Sequence, residues 1–160
     1  YILHSNEGGT KGIMMQPERG DTCKPHPRPS GLGWGFEAFV SDVTVPAEAR
    51  NVSMLRIAIN EPEFCQVRKA SGRDPYLAYH LIDDPMNARF AALNFGDAGL
   101  RFFDIRDPQK PVEVAYFNHG APVHAGVGHY DAARKLIYFS DVGGFKVLQI
   151  EPQVRARLRL

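Results

Sequence analysis

The hydrophobic positions of this chain fall into short runs separated by turn signals. Residues 88–95 (ARFAALNF) and 136–139 (LIYF) are apolar and rich in β-formers. Each is followed closely by an acid and glycine, as Asp97-Ala98-Gly99 and Asp141-Val142-Gly143-Gly144. The next runs, 100–105 (LRFFDI) and 145–150 (FKVLQI), mix apolar residues with Arg, Lys, Asp or Gln and then meet proline. Each pair predicts a β-hairpin, with glycine supplying the left-handed turn conformation.

The two hairpins belong to one repeated unit. Setting His80 over His124 places Asp97 over Asp141 without a gap, and a one-residue insertion at the glycines brings Ile105 over Ile150. The first copy continues through Asp107-Pro108-Gln109-Lys110-Pro111 into residues 112–117 (VEVAYF), whose alternation suits a strand with one buried face. Residues 78–82 supply a strand upstream, making four antiparallel strands in about forty residues, the size of a propeller blade. Toward the N-terminus the same unit is read less cleanly. Residues 1–4, 35–43 and 52–59 stand for its second, third and fourth strands, with Glu7-Gly8-Gly9 as the turn. Residues 11–33, dense in Pro, Gly and charge, form a surface insertion. The expected fold class is therefore all-β: about three four-stranded antiparallel blades over 1–59, 78–118 and 122–152, in a ring this chain leaves incomplete. Residues 153–160 are basic and read as a tail or an alternating strand.

The segments AGLRFFDIRDPQKPVEVAYF and LIYFSDVGGFKVLQI resemble LVIVD repeats. Those repeats run from a glycine through an alternating strand ending in Asp-Ile or Asp-Val to Asp-Pro and a strand leaving toward "VAYF". The resemblance covers residues 79–152. Before them the first copy is interrupted, and its turn is not Asp-x-Gly. The family implies a β-propeller of exported or surface-attached bacterial proteins, hence an extracellular, periplasmic or cell-surface location. It implies a fold more than a function. In such a setting the two cysteines are expected to pair as a Cys23–Cys65 disulfide clamping the insertion, two reduced thiols being the alternative.

Charge narrows the partners. With 19 basic and 18 acidic residues there is no electrostatic case for nucleic acid or an anionic membrane, and no apolar run approaches a membrane span. Residue 1 is Tyr, so the chain is expected to be a fragment or a mature product. Three blades are too few to close a ring, so the rest is expected from the same protein, a partner chain or an oligomer.

In a propeller, the connection into each inner strand and the turn between its second and third strands share one face. His80 and His124 are thereby expected near the channel mouth with Glu7, Asp97 and Asp141 at turns beside them. Imidazole and carboxylate groups are ligands for a divalent transition metal such as zinc, copper, iron or manganese. The structural alternative is equally concrete: Asp before x-Gly bonds the backbone of its own turn, and a repeated His caps a strand. His129 is a weaker ligand candidate. Cys23-Lys24-Pro25-His26 lacks a second ligand pair, Gly31-Leu32-Gly33-Trp34-Gly35 lacks the Lys-Ser/Thr of a phosphate loop, and Asp83-Asp84-Pro85 suits turn initiation. Asn51-Val52-Ser53 fits the N-glycosylation pattern but borders a strand. No motif of a nucleophilic enzyme is present. Three functions are open: a binding module offering its loop rim to a protein or carbohydrate, a metal-dependent oxidoreductase or hydrolase using His80, His124 and an acid, and a structural piece of a larger ring.

Overall fold

In a computed structural model of the chain, the repeated hairpins form as the turn chemistry dictates. The structure describes residues 38–72, 78–84, 87, 89–120 and 128–160, and the backbone alone at 2–4, 79 and 80. These residues build three antiparallel sheets. The first has β1 (Ile2–His4), β2 (Ala38–Asp42) and β3 (Arg50–Leu55) in the order β1-β2-β3. The second runs β4 (Tyr79–Asp83), β5 (Phe90–Asn94), β6 (Leu100–Asp104), β7 (Val112–Phe117) in chain order. In the third, β8 (His129–Asp131), β9 (Leu136–Asp141) and β10 (Gly144–Gln149) lie in the order β10-β9-β8. The molecule is mostly β, and among the described residues no sheet closes on itself.

The second sheet is the middle layer. Every residue of β5 is buried, because its pleat sends alternate side chains into two different cores. Phe90 and Ala92, with Leu100 and Phe102 of β6, pack on Tyr130, Ile137 and Phe139 of the third sheet. Ala91 and Leu93, with Phe103, pack on Ala38, Val40 and Leu55 of the first. A strand covered on both faces reads as a continuous apolar run, which is why residues 90–93 show no alternation. Each fully buried Phe or Leu here contributes about 1.5–3 kcal/mol relative to exposure.

Four expectations need correction. Only the second sheet has four strands; the first and third have three among the described residues. β3 ends at Leu55 instead of reaching Ile59, since the chain coils into 3-10 turns at Ala58–Asn60 and Pro62–Phe64 and then α1 (Cys65–Ala70). The buried Arg68 guanidinium closes that coil by donating to the Ile59 and Glu61 carbonyls. The basic end is neither tail nor strand but α2 (Pro152–Leu158). Pro152 starts it at the position where a missing N–H costs nothing, and Val154 and Leu158, four apart, share the face that packs on the core. Finally, Asp97 and Asp141 are not equivalent in space: Asp97 lies inside the β5–β6 connection, whereas Asp141 is the last residue of β9 and pairs with Gly144 across a two-residue link.

The insertion 11–33 and the turn Glu7-Gly8-Gly9 lie outside the described residues. No helix among the described residues is long and apolar enough to cross a membrane. Ser53, the third residue of the glycosylation pattern, is buried and donates to the Pro108 carbonyl, so that tripeptide serves the contact between sheets.

Candidate functional site

The best-defined polar constellation forms where the link from the second to the third sheet meets the β9–β10 turn. Asp141 is drawn inside this corner, its side chain 0% exposed. Its Oδ1 accepts from the Gly143 amide at 2.7 Å and lies 3.2 Å from Lys146 Nζ. Its Oδ2 lies 2.6 Å from Nε2 of His119, a residue two places beyond β7. The His119 ring packs at 5.6 Å from the Phe117 ring and keeps 23% of its side chain exposed.

Burial by itself raises the Asp141 carboxyl pKa, but the hydrogen bonds from His119, Lys146 and Gly143 outweigh it and hold the group below its ordinary value. Asp141 is therefore ionised at neutral pH and accepts from all three. It follows that His119 carries a proton on Nε2 and presents Nδ1 as its remaining nitrogen. The result is an oriented, partly exposed imidazole backed by a buried carboxylate.

Asn118, the preceding residue, reaches the other repeat turn. Its Nδ2 donates to the Asp97 carbonyl at 3.0 Å, while its Oδ1 accepts from Gly120 N at 2.8 Å. Consecutive residues thus tie the β5–β6 and β9–β10 turns together. Gly99 is what permits this approach: its φ is +86°, and a Cβ there would run into the Phe117 carbonyl oxygen and the Asn118 side chain.

Of the residues expected to form a metal ring, Asp141 is engaged by Lys146 and His119, and Asp97 meets Asn118 through its main chain. Glu7 and His124 lie outside the described residues, as does the side chain of His80, whose backbone sits in β4. His129 opens β8. Among the described residues no group of three or more His, Cys, Asp and Glu side chains converges to hold a metal ion. The Asp83-Asp84 pair does initiate a turn, Asn87 N donating to the Asp84 carbonyl at 3.0 Å; burial first, and then Asp84, push the Asp83 carboxyl up. Cys65 is buried and is not a free thiol; Cys23 and the Cys23-Lys24-Pro25-His26 segment lie outside the described residues.

Sequence reasoning missed His119. The signal was Asn118-His119-Gly120, a turn-forming tripeptide directly after the alternating strand 112–117, where a polar side chain is aimed back at the neighbouring turns. No family model and no curated protein matches this chain.

Proposed function

We propose that this chain is an exported, LVIVD-like segment of a β-propeller and acts as a binding or scaffold module, offering its loop rim to a protein or carbohydrate. One observation carries the reading: apolar positions that are equivalent in the repeat register are buried on the second sheet and exposed on the third. Residues 100 and 102 correspond to 145 and 147. Leu100 and Phe102 are 1% and 6% exposed under the third sheet, while Phe145 and Val147 are 71% and 49% exposed. Phe145 stacks only on Tyr138 of the same sheet among the described aromatic rings. An apolar face of this kind on a repeat unit calls for the next unit. The further blade comes from the same protein, a partner chain or an oligomer.

The test is made on the full chain. It is expected to bind an apolar dye, and Phe145→Ser combined with Val147→Ser is expected to reduce that binding while leaving the β5 amides the slowest to exchange. A wild-type chain that binds no dye, or whose β5 amides exchange as fast as those of β10, sinks the reading.

The exported setting pairs Cys65 with Cys23. Such a bridge, closing a long loop, typically contributes about 2–4 kcal/mol. The expected outcome is that both thiols react with a maleimide only after reduction and unfolding; labelling of the unfolded, unreduced chain contradicts the pairing.

A further inference from the structure

We propose that the outer edge of β10 takes up an extended strand from another protein, completing the third sheet as β7 completes the second. The inference goes beyond the ring reading, since it rests on the repeat register and the strand count and not on a closed ring. β6 is paired on both sides, by β5 and β7; β10 occupies the same place in the repeat and is paired by β9 alone among the described residues. After β6 the chain returns through Asp107-Pro108-Gln109-Lys110-Pro111 into β7. After β10 it leaves through Glu151-Pro152 into α2, which buries Leu158 in the core between the second and third sheets and adds no strand.

The backbone of β10 is prepared for pairing. With the hairpin closing at Asp141 and Gly144, antiparallel alternation directs the N–H and C=O groups of Lys146 and Leu148 to β9 and those of Phe145, Val147 and Gln149 outward. The usual guards of a free edge are missing. β10 has no proline and no bulge against β9, and Lys146, its one charged side chain, is drawn onto Asp141. A cleft of about 160 Å³ lies at the C-terminal end of β10, between Phe102, Ala115 and Phe117 of the second sheet and Leu148, Gln149 and Val154.

β7 shows what chemistry fits. It is six residues long, free of proline, and apolar at most positions, with Glu113 paired to Arg101 at 2.9 Å. β7 itself is committed to β6, so the added strand comes from elsewhere. Backbone hydrogen bonds supply its affinity and the alternate side chains its specificity.

The probe is a free peptide with the sequence of residues 110–118 (KPVEVAYFN), titrated into the full chain and followed by peptide anisotropy and amide exchange. Saturable binding with slowed exchange at Phe145, Val147 and Gln149 is expected. Val147→Pro removes an outward N–H and is expected to weaken binding about tenfold, the worth of one net hydrogen bond. Gln149→Pro serves as the second variant should Val147→Pro lose its β5 protection. Absent protection on β10, or equal affinity for the folded proline variants, overturns the proposal. So does concentration-dependent dimerisation that protects the same amides without peptide, because the occupant is then a second copy. Loss of β5 protection in the wild-type chain would instead strike the stacked-sheet reading, so the two failures are distinguishable.

Discussion

Replacing Phe90 by alanine is expected to cost about 3–5 kcal/mol. Phe90 is fully buried and meets the Tyr130 ring edge-on at 4.8 Å, with ring planes at 86°. It stands at the centre of the contact between the second and third sheets. Truncation removes both the buried surface and the edge-to-face contact and leaves a cavity that the rigid strands on either side cannot close. Phe103→Ala is the matched variant on the opposite face, toward the first sheet. Urea unfolding followed by two probes, tyrosine fluorescence and far-ultraviolet circular dichroism, checks both. If the three sheets unfold as one cooperative unit, each variant shifts the midpoint without changing the slope. A Phe90→Ala chain as stable as the wild type would contradict the middle-layer placement of β5.

Asp141→Asn is the second large effect. The substitution keeps an acceptor for Gly143 N but removes the charge that holds Lys146 and His119, and hydrogen bonds to charged groups are worth about 1.5–3 kcal/mol. A loss of about 2 kcal/mol at neutral pH is expected. The pH dependence gives the sharper reading. The folded-state pKa of Asp141 lies below its ordinary value of 3.8, so its contribution is fully present above that value and is lost as pH falls through the lower folded one. Wild-type stability therefore declines through the acid range, and Asp141→Asn should flatten that decline. It should not abolish it, because the Asp104 carboxyl is held low by its hydrogen bonds from Arg106, and Asp42 and Asp131 are likewise lowered by Thr44 and Arg134. Chemical denaturation of both chains from neutral to acid pH checks this. Parallel profiles would mean that Asp141 is not the anchor of the turn.

The hairpins were legible because their causes are local. Asp-x-Gly and Asp-x-Gly-Gly between apolar runs mark turns that glycine completes with a positive φ, here +86° at Gly99 and +101° at Gly144. Asp141 also accepts from the Gly143 amide, while in the other turn it is Asn94 Oδ1 that accepts from Gly96 N. The run 88–95 was legible as a strand, but its burial on both faces is a finding of the structure. The helical end was not legible: in VRARLRL apolar residues alternate, while Val154 and Leu158 also stand four apart, so periods of 2 and 3.6 both fit seven residues. Only the core that receives Leu158 decides between them.

The polar corner shows the same division. Asp141 was found from sequence because it belongs to a turn, but its partner was sought among the histidines aligned by the repeat. His119 lies 22 residues away, outside that alignment, and reaches Asp141 because β7 delivers it to the neighbouring turn. Repeat symmetry likewise gave the two acids one role, whereas in the structure strand pairing continues to Asp141 and Gly144 and places Asp141 at a strand end.

The order of local elements, the repeat and the apolar faces are properties of the sequence by itself, since each depends on residues within a few places of one another. Which faces are covered, which edge is left unpaired and which histidine meets which carboxylate are decided by the stacking of the sheets. That stacking brings together residues tens of positions apart, and burial there gives an acid or an apolar side chain a role that its neighbours in sequence do not define.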